Sequence, residues 1–322
     1  MAVLLPTVLA VYSALLFAGS ANANNALDVN DNTQNNKHVE IAITVWGSDW
    51  YYTVCAVMGA TALTIIAMSY KKPRTDRIFF YMCAAICTTA SIAYFAMGSN
   101  LGWTPIDVEW VRMVAGGEGR NREIFYVRYI DWFITTPLLL MDLTLTAGLP
   151  WPTVLWVLFL DVGMVVTGLV GALVKSRYKW GFFAFGCACM FGVFWELAFV
   201  GRRNAKRLGD DVHRVYVRCG VLTLVIWLLY PVAWGVCEGG NVISPNYEAI
   251  FYGILDVIAK PVFSLALLFG HWNINPERLG LKMGGPEHQA AEAEKSDLLR
   301  HDDGGSAGPN GTNGTAQLSH EA

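Results

Sequence analysis

The chain has 322 residues, 54% of them hydrophobic and 15% charged, with 23 Lys plus Arg against 26 Asp plus Glu for a formal net charge of −3. An ordinary soluble domain carries roughly 25% charged residues. The deficit argues against a soluble enzyme, a nucleic-acid binder with a basic face and a disordered chain, and points to a membrane protein.

In chain order, residues 1–23 read as a signal peptide, because 2–17 is apolar and Ala21-Asn22-Ala23 fits the small-residue cleavage rule. A basic n-region is missing, so an uncleaved leader is the alternative reading. Residues 24–45, rich in Asn and Asp, are expected to form a solvated extracellular tail. A helix needs roughly 20 apolar residues to cross a hydrocarbon core of about 30 Å. Seven segments qualify: 46–70, 78–97, 124–147, 151–174, 180–200, 215–236 and 247–271. The fold expected over 46–272 is therefore an all-α membrane protein, a seven-transmembrane helix bundle. Short connections after the first, third and fourth spans predict antiparallel neighbours. The longer connection 98–123 carries Val108, Trp110 and Val111 near a Gly116-Gly117 turn, which suggests an extracellular hairpin over the bundle. From residue 273 to 322 the chain is polar and Gly-rich, and a disordered cytoplasmic tail is expected.

Loop charge sets the orientation. Lys71, Lys72, Arg74, Arg77, Arg202, Arg203, Lys206, Arg207 and Arg214 lie at one end, and Arg112, Arg120, Arg122, Lys175, Arg177 and Lys179 at the other. Nine against six puts the N-terminus outside and the C-terminus in the cytoplasm. The glycosylation sequons at Asn310 and Asn313 then fall on the wrong side to be modified. Six of the seven cysteines fall inside spans, where they read as small packing residues, and Cys187-x-Cys189 has no second pair at zinc spacing. No metal site is expected.

Ionisable groups inside a span are costly and mark function by default. Arg218 and Glu196 lie near span ends and read as snorkelling side chains. Lys260 lies halfway along the seventh span, with Asp256 at i−4 on the same face. An isolated ammonium there is disfavoured, and a neutral buried amine is a nucleophile toward an aldehyde. A buried structural ion pair is the competing reading of this pair. In the third span, Asp131 and Asp142 are eleven residues apart. At 100° per residue they share a face to within about 20°, displaced by ~16 Å. Arg128 lies one turn outward of Asp131, whereas Asp142 sits among Leu139, Leu140, Met141 and Leu143 and is expected to hold its proton. Such a pair divides into acceptor and donor. Glu238 and Glu248, at the outer ends of the sixth and seventh spans, read singly as interfacial acids and together with Arg128 as a proton-exit cluster. Trp132, Trp227 and Tyr230 are placed to sandwich a flat conjugated ligand at the depth of Lys260, core packing being the ordinary alternative.

These residues carry a family resemblance. The stretch 128–142 (RYIDWFITTPLLLMD) resembles the third-helix signature of microbial rhodopsins, and 255–260 (LDVIAK) resembles their retinal-attachment motif. Trp227, Tyr230-Pro231 and Trp234 are similar to their sixth helix, and 90–95 with 100–103 look closest to the fungal branch near bacteriorhodopsin-like pumps. The resemblance implies all-trans retinal attached to Lys260 as a protonated Schiff base, with Asp131 as proton acceptor, Asp256 as second counterion and Asp142 as donor. It implies a release group of Arg128, Glu238 and Glu248, with Tyr94 beside it. The implied pocket is Tyr129, Trp132, Thr136, Leu139, Asp161, Met164, Gly168, Phe183, Trp227, Tyr230, Pro231 and Trp234. Two departures from the bacteriorhodopsin pattern stand out. Phe183 and Gly186 replace Trp and Ser, and Pro261 leaves the Val257 carbonyl without its helical donor.

The function these features imply is a light-driven outward proton pump of the plasma membrane rather than an enzyme. Its partners are retinal, protons and the lipid bilayer, with no nucleic acid; a homo-oligomer and an unknown signalling partner are left open. The rivals are a slow-cycling photosensor with the same chromophore and a non-photoactive seven-helix relative.

Overall fold

The structure is a computed structural model that describes residues 25–34, 37–114 and 117–281. The expected signal peptide, the sequons and the tail beyond Leu281 lie outside the described residues.

The bundle is built from α1 (Val45–Ser69), α2 (Ile78–Gly98), α3 (Tyr126–Thr146) and α4 (Trp151–Ala172). The fifth segment is α5 (Lys179–Trp195), continued by a π-turn at Glu196–Gly201 into α6 (Arg202–Leu208). The sixth is α7 (Asp210–Trp227) and α8 (Leu229–Trp234), ending in a π-turn at Gly235–Gly239. The seventh is α9 (Pro245–Val257), a π-turn at Ile258–Val262 and α10 (Phe263–Gly270). Six of these segments are long and apolar enough to cross a membrane. α3 is the remaining helix of the bundle, and its Arg128, Asp131 and Asp142, all buried, explain its weaker apolar signal.

Several boundaries differ from expectation, each for a physical reason. The basic run Arg202–Arg207 is helical rather than a loop, and α7 begins at Asp210. Lys and Arg are good helix formers whose stems lie along apolar surface, so the helices run on past the hydrocarbon edge. Gly209 interrupts them at φ 131°, where a side chain would be strained. The segment expected as a solvated tail instead packs down, with Val39, Ile41 and Ile43 buried. Short strands β1 (Thr33–Gln34) and β2 (Lys37–His38) precede it. At the other end the ordered chain continues beyond residue 273: Pro276–Leu279 forms a 3₁₀ turn capped by Asn275, and Leu279 is buried.

The hairpin expected over 98–123 is present. Strand β3 (Thr104–Asp107) pairs antiparallel with β6 (Asn121–Ile124), and β4 (Met113–Val114) pairs with β5 (Gly117–Glu118) nearer the tip. Ile41 makes a parallel bridge to Arg122, tying the N-terminal segment to the hairpin. Large apolar side chains such as Phe159, Phe185, Trp195 and Phe269 are exposed on the outer faces of the helices. That arrangement suits lipid rather than water.

Candidate functional site

The site forms where the third, sixth and seventh segments converge. Lys260 comes from the π-turn, and its Nζ donates to Asp131 Oδ2 at 2.6 Å and lies 3.0 Å from Asp256 Oδ2. All three residues are buried. The amine expected to be neutral is thus met by two carboxylates, which offset the cost of a buried ammonium. Asp256 Oδ2 also accepts from Tyr94 Oη at 2.8 Å, and its Oδ1 from Tyr230 Oη at 2.5 Å. With three donors pointed at it, Asp256 is fixed, whereas Asp131 Oδ1 has no hydrogen-bond partner among the described residues. Pro261 explains the widened turn. It cannot donate a backbone N–H, and the chain shifts locally to π spacing, with Phe263 N–H on Ile258 O.

Beside the amine lies an apolar cleft walled by aromatic rings. Phe183 stacks on Trp234 with centroids 5.1 Å apart, and Trp132 meets Tyr230 edge-on at 5.3 Å. Every pocket residue expected from the resemblance lines this cleft except Asp161. Asp161 stands behind Thr136, accepting its hydroxyl at 2.8 Å, so its effect on a ligand is indirect. Val165, Cys187, Met190 and Ala259 also line it, and as ordinary apolar or small residues they gave no sign of a ligand in the sequence; Thr135, one turn inward of Asp131, lines it too. The shape and chemistry fit a long, flat, apolar aldehyde entering head-first toward Lys260.

On the side of Asp142 the groups are sparse. Asp142 is buried, accepts from Cys83 Sγ at 3.4 Å through Oδ2, and has no partner for Oδ1 among the described residues. Cys83 was expected only to pack; here it is the donor to that carboxyl. One turn along α2, Cys87 lies 3.9 Å from Ser264 Oγ, itself one turn beyond Lys260.

On the opposite side is a dense ion cluster. Glu248 is gripped by two guanidiniums, Arg122 Nη2 on Oε2 and Arg128 Nη1 on Oε1, each at 2.6 Å. Glu238 Oε1 lies 3.4 Å from Arg128 Nη1 and accepts from Tyr129 Oη at 3.1 Å, while Tyr252 Oη reaches Oε2 at 3.0 Å. Both glutamates are buried, so the reading of each as a solvated interfacial acid does not hold. Cys237, Glu238 and Glu248 bring ligand-type atoms within 4.8 Å of one another, but the arginines already supply the positive charge there. Tyr94 was expected beside this cluster; it bonds Asp256 instead, and Tyr51 Oη takes the place by accepting from Arg128 Nη2 at 2.8 Å.

Arg122 and Glu123 are the functional candidates that the sequence concealed. They looked like hairpin residues, yet both are fully buried because the N-terminal segment covers them. Glu123 Oε2 accepts from Ile43 N–H at 2.9 Å and Oε1 has no partner among the described residues. Burial, with Glu248 nearby and only partly offset by Arg122 and Arg128, pushes its pKa up from 4.5 to about 8. A raised carboxyl pKa makes a contribution to stability that is complete below the unfolded value and is lost as pH rises toward the folded value. The thermal midpoint of Glu123→Gln should therefore gain on the parent as pH rises from about 4.5 to about 8, then hold a constant lead. Thermal melts across that range check it; a difference independent of pH would show that Glu123 does not titrate there.

A family model described as "bacteriorhodopsin-like protein" matches residues 45–274. The opsin-like protein carO of Fusarium fujikuroi is 61% identical over 263 residues, covering 82% of this chain and 86% of its own. Among solved structures, a light-driven proton pump from Leptosphaeria maculans is similar at TM-score 0.69 and 32% identity, over 74% of this chain and 99% of that one. Halorhodopsin, a light-driven chloride pump, is similar at TM-score 0.64 and 28% identity, over 73% of this chain and 97% of its own.

Proposed function

The chain belongs to the bacteriorhodopsin-like protein family, and from that premise we propose that it is a light-driven outward proton pump of the plasma membrane. Membership implies a retinal chromophore, and the amine-ended aromatic cleft fits it. The N-terminus would lie outside and the C-terminus in the cytoplasm. Burial of Arg122 and Lys179 removes two of the six basic residues counted on the outer side, which widens the charge imbalance behind that orientation.

The observation that carries the reading is Lys260 Nζ set 2.6 Å from Asp131, with a second buried acid, Asp142, on the same helix. Retinal held on Lys260 would supply light absorption and a change of shape that loosens the hold of the Lys260 nitrogen on its proton. Asp131 Oδ2 is already in hydrogen-bond contact and takes that proton. Asp256, fixed by Tyr94 and Tyr230, keeps its charge beside the nitrogen while Asp131 becomes neutral. Loss of the Asp131 charge changes the field on Arg128, which shares its guanidinium among Glu248, Glu238 and Tyr51. With both oxygens of Glu248 paired at 2.6 Å, Glu238, met mainly by hydroxyls, is the acid suited to store and release a proton. Asp142 then returns a proton to the Lys260 nitrogen from the other side. A carboxylate at Asp131, where a transported anion would have to sit beside the cation, favours protons over chloride.

The deciding experiment is illumination of cells or vesicles carrying the protein. Acidification of the outer medium, abolished by a protonophore, is expected; a slow photocycle without acidification would favour the sensor reading. Asp142→Asn should slow reprotonation of the Lys260 nitrogen on the order of a hundredfold, the usual worth of a positioned proton donor. Time-resolved visible absorption checks this, and unchanged kinetics would remove Asp142 from the donor role.

A further inference from the structure

His271 is a buried titratable group that the mechanism above does not use. It closes the seventh segment directly after α10, at the end of the bundle that carries Asp142. Its ring stacks on Phe79 with centroids 4.5 Å apart and 15° between planes. Nδ1 lies 2.9 Å from Leu267 O, Nε2 lies 3.1 Å from Thr146 Oγ1, and Thr146 Oγ1 donates to the backbone carbonyl of Asp142 at 2.5 Å.

A carbonyl can only accept, so Nδ1 carries a hydrogen and the neutral ring leaves Nε2 as an acceptor. Thr146 has one hydroxyl proton, and it cannot serve both Nε2 and the Asp142 carbonyl. Adding a proton to Nε2 resolves the conflict: Nε2–H donates to Thr146, and Thr146 donates to Asp142 O. The contacts are complete only when the ring holds a second proton. Apolar enclosure by Phe79 and Leu267 opposes keeping that charge for long. A site geometrically ready to take a proton and electrostatically reluctant to retain it is a relay.

We propose that His271 is the proton-uptake relay that recharges Asp142, a role that rests on the pumping reading above. After Asp142 has given up its proton, it is a carboxylate one helical turn from Thr146, where i and i+4 side chains are neighbours. A proton from water binds Nε2 and makes the ring cationic. Nε2–H then passes its proton to Thr146 Oγ1, whose hydroxyl turns away from the Asp142 backbone carbonyl and hands its own proton to the Asp142 carboxylate. The histidine ends neutral, the threonine unchanged and the aspartic acid neutral. Asp142 Oδ1, without a partner among the described residues, is the oxygen open to receive it. Lys72, whose ammonium bonds the Trp272 carbonyl and lies 4.7 Å from that ring's centroid, is the charged group held against the residue next to His271.

The test uses the pigmented full chain with His271→Gln and His271→Phe, a pH-indicator dye, and time-resolved infrared absorption of the Asp142 carboxylic acid. Both variants should keep the dark visible band of the parent, which reports an intact fold. The first transfer from Asp142 should stay fast, while recovery of its C=O band and dye-reported uptake slow on the order of a hundredfold. Added imidazole should restore uptake in His271→Gln and leave the parent unchanged. Parent-like uptake in both variants would overturn the relay, and so would slowing that imidazole fails to rescue, since that marks a structural role. A parent that neither releases nor takes up protons in light would remove the pumping reading, and the relay with it.

Discussion

Lys260→Ala is expected to form no visible band when all-trans retinal is added, and to carry no light-driven proton flux. The amine stands at the head of the aromatic cleft, and no other lysine is among the described residues that line it, so its removal leaves no amine there to condense with an aldehyde. It also leaves Asp131 and Asp256 buried together without their cation. Breaking a buried pair by deleting one partner costs about 3–5 kcal/mol, so the variant alone could fail by unfolding. Lys260→Arg separates the two causes, because a guanidinium keeps the charge between the carboxylates but is never a free amine. A folded, colourless Lys260→Arg is the expected outcome. A band in that variant, or a mass-spectrometric adduct on another lysine of the parent, would move the attachment site elsewhere and undo the account of the cleft.

The second large effect is at Asp131. Asp131→Asn removes the carboxylate 2.6 Å from Lys260 Nζ and leaves an amide that cannot take a proton. Light-driven acidification should fall by at least about a hundredfold, below detection in most assays. The visible band should move to longer wavelength, because the anion nearest the positive nitrogen stabilises the ground state most. Asp256 remains at 3.0 Å, so a cation is still tolerated and pigment should still form. Spectra and vesicle acidification from one preparation test both halves. Normal pumping in Asp131→Asn would place the acceptor at Asp256.

How much of this was legible beforehand depended on the distance over which each partner sits. Asp256 with Lys260 and Asp131 with Asp142 could be read from helical spacing alone, because both members of each pair share one helix. The apolar segments were plain as well, the third less so because it carries Arg128, Asp131 and Asp142. What stayed hidden was everything made by chains meeting from afar. Arg122 pairs with Glu248 across 126 positions, Cys83 with Asp142 across 59, and Glu123 is buried by a segment 80 positions earlier. Polar hairpin residues and a span cysteine gave no local sign of such partners. Tyr94 belongs here too: the resemblance set it beside the exit cluster, and only the packed helices show that its hydroxyl reaches Asp256 while its ring meets Tyr51. The helix ends were obscured because Arg and Lys serve equally in loops and in helices that emerge into headgroups.

The widened turn at Ile258–Val262 also governs everything that follows it along the seventh segment. Such a turn accommodates one surplus residue, so the side chains of α10 lag an unbroken α-helix by about 100°. Ser264, Leu267 and His271 owe their azimuth to that offset, and a helical wheel drawn straight through from Asp256 would aim them at the wrong neighbours. Inserting a single further residue just after the turn would leave Lys260 near its carboxylates while swinging the downstream half of the segment about 100° out of phase, which would make the two halves of the proton path separable by one codon.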